Sequence, residues 1–374
     1  MRVAYLLTQD RGGPVDVTVT LVAALLATGE ADVRVFGPPP ARGSELIAGH
    51  HEPLTVARKG DLDGARRAIG ALRAWRPDVV HAQDRRAGLV AAWLRRPVVI
   101  QTYHGVPDDV SEPWFRGGPT PAPSAYTMAV LAADAVVARA TTRTVVPSVE
   151  MGQFLRHRLR VPANRLAHID NCVALPDSAP PTGLVRKLAF AGLLVPRKGV
   201  LHLLDALATT MPPDATLTII GDGPQRTEAE RQAARLPGTV TFLGFRPDVA
   251  QLIREHDALV LPSTMEQQPL VVAEAMAAGK PVVATNTGGV ADMLTVPGAT
   301  TYLSPPGDTQ ALATNLAALF SNPDPATTGR HLATEARTRF APATSAHHHL
   351  TLYHTLTTLA SPRFTRGESP FQTG

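Results

Sequence analysis

Short, mainly apolar runs recur along this chain, and the segments between them carry apolar residues at helical spacing. Val3–Leu7, Val33–Phe36, Val79–His81, Val98–Thr102, Ala135–Val137 and Thr144–Val146 read as strands of a first half. Lys187–Phe190, Thr216–Ile220, Val240–Leu243, Ala258–Leu261 and Pro281–Ala284 repeat the pattern in a second half. The runs lack strict polar alternation, which fits strands of a parallel sheet covered on both faces. The spacing predicts helices over Val15–Ala27 and Leu62–Trp75. Strand–helix alternation of this kind indicates an α/β chain with doubly wound parallel sheets.

With 374 residues, 44% of them apolar, the chain can fill two such domains. The turn-rich stretch Leu175–Gly183 separates the two series. The expected division is 1–175, 183–345, a closing helix over 346–360, and a polar, disordered tail over 361–374. The net charge of +4 suits an anionic substrate or a membrane surface and is too weak to indicate nucleic acid. The one cysteine, Cys172, excludes an internal disulfide framework and is expected to be a small buried residue. No apolar stretch reaches 18 residues and the Met1–Thr8 run is too short for a leader or a span, so a cytoplasmic protein is expected. A peripheral membrane contact stays compatible with these numbers.

The most informative segment is Met265–Ala284, with Glu266 and Glu274 eight residues apart. It reads as loop, helix, turn and buried strand. Pro269 suits a first helical position, and Gly279 suits the left-handed residue that ends the helix. Glu266 then precedes the helix start and Glu274 lies about one turn inside. A helix start presents unpaired N–H groups and can hold phosphate. The flanking carboxylates accept hydrogen bonds, and sugar hydroxyls supply them. An anion site between hydroxyl-binding carboxylates suits a nucleotide-sugar.

Other motifs are weaker alone. Gly12-Gly13 follows the first strand, where parallel sheets bind ligands, but it is not a dinucleotide fingerprint. Gly221-Asp-Gly223 is a tight turn of common type. His104, just past a strand, could donate to a sugar hydroxyl or a phosphate, or could fill the core; its position leaves both open. Arg197-Lys198 at a strand end suits a diphosphate or a solvated turn. Asp61-Leu-Asp63 reads as a helix cap and His347-His348-His349 as a helix segment, so no metal site is expected. The irregular stretch Pro107–Pro123 reads as a long loop, of a length that is usually a binding loop or disordered.

In order along the chain, Gly12-Gly13, Asp78–Ala82, Thr102–Gly105, Val146–Val149, Val161–Arg165, Asn171–Val173, Phe190–Gly199, Gly221–Pro224, Val240–Gly244 and the Glu266/Glu274 pair resemble the family-4 retaining glycosyltransferases of GT-B fold. The resemblance implies two Rossmann-like domains facing across a cleft, donor nucleotide in the second, acceptor mostly in the first. It implies that Glu274 holds the ribose and Glu266 the donor sugar. It assigns Leu270 and Val271 amides to phosphate or sugar, Lys198 and Gly13 to the diphosphate, His104 to the sugar near the reacting carbon, and Gly244, Phe245 and Arg246 to the base. Glu266, Lys198 and His104 are the implied catalytic residues; Gly12, Gly221, Gly223 and Pro269 complete the donor site. Neither metal nor cofactor is implied beyond the donor substrate.

Three segments depart from the family pattern. Leu193 replaces the arginine usual after Gly192, and Arg197 is expected to compensate; Cys172 stands where glycine is usual; Gln267 and Gln268 follow Glu266 and are expected to tune sugar choice. The implied activity is retaining transfer from a nucleoside-diphosphate sugar, UDP favoured, to a hydroxyl acceptor. The alanine-, arginine- and proline-rich composition suggests a GC-rich bacterial source and hence a small natural-product or sugar-like acceptor. A lipid or polysaccharide acceptor is the alternative, with Gln153–Arg160 as a basic amphipathic candidate. Epimerase or phosphorylase chemistry, and a non-catalytic nucleotide-sugar-binding subunit, are the remaining readings.

Overall fold

The computed structural model describes residues 1–58, 60–94 and 97–360; the tail expected to be disordered, 361–374, lies outside the described residues. Two all-parallel sheets account for the strands. The first contains β1 (Arg2–Leu6), β2 (Asp32–Gly37), β3 (His51–Pro53), β4 (Val79–Ala82), β5 (Val98–Thr102), β6 (Arg143–Val146) and β7 (Leu166–His168), in spatial order 3-2-1-4-5-6-7. The second contains β8 (Lys187–Ala191), β9 (Thr216–Ile220), β10 (Thr239–Gly244), β11 (Ala258–Leu261), β12 (Val282–Thr285) and β13 (Leu303–Ser304), in order 10-9-8-11-12-13. Two Rossmann-like sheets of this kind make the GT-B fold expected from the sequence.

Each sheet reverses its strand order once, between β1 and β4 and between β8 and β11. Ligands of open parallel sheets bind outside the carboxyl ends of the strands at such a reversal. The loops emerging there carry Gln9–Gly13 and Gln83–Arg86 in the first domain. In the second they carry Gly192–Gly199 and Pro262–Pro269.

The central strands are apolar because both faces are covered. Val79, Val80 and Ala82 of β4, and Leu259 and Val260 of β11, are fully buried. The helix Pro342–Ala360 leaves the second domain and packs on the helix Gly13–Thr28, placing Tyr353 in the core of the first. Its His349 is buried and accepted by the Ser345 carbonyl, a core role. Asp61 caps the helix Leu62–Trp75 by accepting from the Gly64 N–H at 2.8 Å, as its spacing suggested.

Three expectations are corrected. Ala135–Val137 is not a strand but part of the helix Ala125–Ala140, which buries Leu131, Asp134, Ala135 and Ala138 at helical spacing. The stretch 107–123 is not a free loop. It forms a short helix, Glu112–Phe115, whose Trp114 and Phe115 are buried, Phe115 stacked on Phe154 at 4.9 Å. Arg158, within the basic amphipathic candidate, is spent internally: it lies 4.4 Å over Trp114 and donates to the Trp114 carbonyl. Edge strands β3, β7 and β13 went unread because each is only two or three residues long and lacks an apolar run.

Candidate functional site

The helix Leu270–Ala277 starts at the carboxyl end of β11, with Pro269 as its cap in extended geometry. No side chain caps this end. Among the described residues, the N–H groups of Leu270 and Val271 have no protein acceptor. Proline is thus one residue earlier than its expected first helical place. At the other end Gly279 has φ +73°, the left-handed conformation its position required.

Lys198 reaches this helix start from the loop after β8. Its Nζ lies 2.5 Å from Glu266 Oε1, which also accepts from Ser263 Oγ at 2.7 Å. Both side chains are mostly buried. A cation and two free amides therefore converge beside a hydroxyl-accepting carboxylate. The loop that delivers Lys198 turns at Gly199, φ +69°, where a Cβ would stand 2.1 Å from the Pro262 carbonyl oxygen; only glycine fits.

Glu274 lies one turn further along the helix. Burial pushes its carboxyl up to about 7, and the Asp16 charge adds to the rise while Arg42 opposes it. Asp16 and Arg42 belong to the first domain and pair with each other. Arg42 also donates to the Pro247 carbonyl of the second domain at 3.2 Å. Gly13 faces the same helix: a Cβ there would lie 3.7 Å from Leu270 Cδ1. The two domains thus meet around the start of the Leu270–Ala277 helix.

Gly221 and Gly244, at the ends of β9 and β10, are joined by a 2.8 Å hydrogen bond from Gly221 N–H to the Gly244 carbonyl. Gly223 continues the same turn, packed on the Leu194 carbonyl. Beyond them Phe245 is 75% exposed, and Arg246 pairs with Asp248 at 2.6 Å. An exposed aromatic ring beside a glycine turn is a stacking platform.

On the first-domain side, a cavity of about 130 Å³ is lined by Gln9, Pro14, Gln83, Arg85 and His104 among others. His104 Nε2 lies 2.9 Å from Gln83 Oε1. Burial, with the nearby His349, lowers its pKa to about 4, so the ring is neutral. Nε2 then carries the hydrogen donated to Gln83, and Nδ1 is left as an acceptor. Beneath it, buried His81 joins Tyr353 Oη at 2.7 Å and Thr102 Oγ1 at 2.7 Å. Gly105 faces the other domain, where a Cβ would come 3.1 Å from Gln267 Oε1.

Comparison with known proteins bears on this geometry. A family model described as "Glycosyltransferase Family 4" matches residues 11–175, and one described as "Glycosyl transferases group 1" matches 185–322. The chain belongs to the group 1, family 4 glycosyltransferases. Sulfoquinovosyl transferase SQD2 of Arabidopsis thaliana is 28% identical over 75% of the chain, which spans 58% of that relative's length. Phosphatidyl-myo-inositol mannosyltransferase of Mycobacterium leprae is 26% identical over 84% of this chain and 85% of its own. Among solved structures, Anabaena Alr3699/HepE in complex with UDP and glucose superposes with a TM-score of 0.77. It shares 22% identity over 95% of this chain and 100% of that one.

In this family-4 chain, some expected site residues have protein partners of their own. Gln268 Nε2 donates to Asp170 at 2.5 Å and its Oε1 accepts from Asn171 N–H at 2.6 Å. Both bonds go to the last segment of the first domain, and the second Nε2–H is not used by them. Arg197 lies 3.0 Å from Asp108 across the domain gap, and Leu193 is 57% exposed.

Sequence reasoning missed Glu112 and Thr287. Buried Glu112 of the first domain accepts from Thr287 Oγ1 at 2.9 Å and Gly288 N–H at 3.1 Å in the second. Thr287 Oγ1 in turn accepts the Glu266 N–H at 3.2 Å. The signal was Thr287-Gly-Gly289, a glycine pair just past β12, the same placement as Gly12-Gly13 after β1. Among the described residues no group of three or more His, Cys, Asp or Glu could hold a metal ion, and no helix is long and apolar enough to cross a membrane.

Proposed function

We propose that this chain transfers a glycosyl group, with retention and without a metal, from a nucleoside-diphosphate sugar to a hydroxyl acceptor. The observation that carries the reading is the convergence of Lys198, Glu266 and the uncapped helix start opposite Gly13. The diphosphate lies on the Leu270 and Val271 amides, with Lys198 supplying the balancing charge. Glu274 accepts the ribose hydroxyls, Glu266 the sugar hydroxyls, and Phe245 covers the base. UDP is the favoured nucleotide, in keeping with the neighbour that carries UDP and glucose.

The C1–phosphate bond breaks, and negative charge grows on the leaving diphosphate. Preset N–H dipoles and a partly buried cation stabilise that charge without reorganising. The acceptor hydroxyl adds to C1 from the same face, and its proton goes to a phosphate oxygen. His104, neutral with Nδ1 free to accept, orients a hydroxyl near C1 rather than supplying a proton. The acceptor is a small natural-product or sugar-like molecule seated in the cavity beside Gln9 and Gln83.

A thermal-shift screen of UDP-, GDP- and dTDP-sugars tests the donor, since a tight ligand raises Tm. UDP-sugars should give the largest shift. The anomeric configuration of the product, read by proton NMR, should match the donor's. No shift with any nucleotide-sugar, or an inverted product, would overturn the reading.

A further inference from the structure

We infer that the acceptor side of this site holds a subsite for an anionic group, a phosphate monoester or a carboxylate, built on Arg86 and Arg58. The inference rests on the glycosyl-transfer reading and narrows its acceptor class.

A second cavity, about 360 Å³, adjoins the one beside His104 and shares Gln9, Asp84 and Arg85 with it. Ala57, Arg58 and Arg86 complete its lining. Both lie at the carboxyl ends of β1 and β4, where the strand order of the first sheet reverses.

Arg86 is half-buried, and its partners are all neutral. Nη1 donates to the carbonyls of Val56 at 3.2 Å and Ala57 at 2.7 Å; Nη2 donates to that of Thr8 at 2.9 Å. Three of its five N–H donors are thereby used. Nε–H and one Nη2–H have no protein acceptor among the described residues. A guanidinium drawn partly out of water without a counter-charge is costly. Pinned by three carbonyls, it is also preorganised for an oxyanion.

The other charges do not neutralise it. Asp84 is turned into the protein, accepting from Thr8 N–H at 2.6 Å, Thr8 Oγ1 at 2.7 Å and Ala87 N–H at 2.9 Å. Arg85 is matched by Asp134, 2.7 Å away. Arg58 forms no ion pair among the described residues and stands at the exposed rim. Arg58 also feels the Asp61 carboxylate, so the cation on this wall that no carboxylate among the described residues offsets is Arg86. A neutral sugar or aglycone would leave that charge unmatched; an acceptor with a phosphate or carboxylate near its reacting hydroxyl would match it.

The test uses the full chain saturated with UDP, so that the diphosphate site is filled. Calorimetric titration compares glucose 6-phosphate with glucose, and flotation compares phosphatidylcholine vesicles with and without phosphatidic acid. Binding of glucose 6-phosphate at least tenfold tighter than glucose places the anion on a soluble acceptor. Binding only to the anionic vesicles places it on a lipid headgroup, and either result supports the subsite. Arg58→Ala and Arg86→Lys, the second keeping the charge but losing the fork, should each weaken the anion about tenfold. Their Tm and UDP affinity report separately on folding and the donor site. Equal binding of charged and neutral probes in both arms, or undiminished anion binding by both folded variants, overturns the subsite. Failure of UDP itself to bind would instead sink the donor reading; the two variants would then decide the subsite on the protein alone.

Discussion

Glu274 should make donor binding depend on pH in a way that one substitution abolishes. Its carboxyl is held up to about 7, first by burial and then by Asp16. Two ribose hydroxyls donate to the ionised form and discriminate against the protonated one, so binding releases a proton. Apparent Kd then scales as one plus the ratio of protonated to ionised carboxyl. With a pKa of about 7, affinity at pH 5.5 should be about 30-fold weaker than at pH 8.5. UDP-glucose is the right probe, because its diphosphate diester does not titrate in that window, whereas UDP's terminal phosphate does. His104, at about 4, stays neutral throughout. Glu274→Gln should flatten the profile and weaken binding at pH 8.5 by about 2 kcal/mol, roughly 30-fold, the worth of hydrogen bonds to a charged group. At pH 5.5 variant and parent should converge. Calorimetry in buffers of different ionisation enthalpy counts the proton directly. A flat parental profile refutes the role given to Glu274. A slope that survives in Glu274→Gln assigns the proton elsewhere, with His168, raised by its bond to Asp170, as the nearest alternative. The same carboxyl, protonated, stabilises the ligand-free fold fully below about 4.5, and that contribution is lost as pH rises through about 7. Tm of the parent relative to Glu274→Gln should fall over that interval.

Three further outcomes follow from the site. Lys198→Ala removes the balancing cation and leaves Glu266 without it, so UDP affinity should fall by about 2–3 kcal/mol in calorimetry, with turnover falling further. Glu112→Ala strands the Thr287 hydroxyl and the Gly288 N–H and slackens the Glu266 backbone; Tm should drop, and donor turnover should fall about tenfold with UDP affinity nearly kept. Gly199→Ala should lower Tm sharply and reduce UDP binding, because a methyl cannot share space with the Pro262 carbonyl 2.1 Å away.

The parallel sheets were legible because their central strands, such as Val98–Thr102 and Ala258–Leu261, are short, mainly apolar runs whose length separates them from helices. The same criterion misread Ala135–Val137. That triplet is the most apolar part of a helix whose buried positions Leu131, Asp134, Ala135 and Ala138 include an aspartate held by Arg85 and Tyr103. Residues 265–284 could be read because their helix punctuation, Pro269 and Gly279, is local chemistry. The Glu112–Thr287–Glu266 relay could not, since it joins residues 175 and 21 positions apart, and its first bond exists only once both domains are packed. Gln268 shows the converse: only two residues past Glu266, its amide bonds Asp170 near the end of the first domain.

The most direct test is a crystal structure of the chain with UDP-glucose. Phosphate oxygens should sit about 3 Å from the Leu270 and Val271 nitrogens and from Lys198 Nζ, with both ribose hydroxyls on Glu274. A nucleotide bound away from that helix start, or a Glu274 carboxylate that touches no ribose hydroxyl, would contradict the assignment.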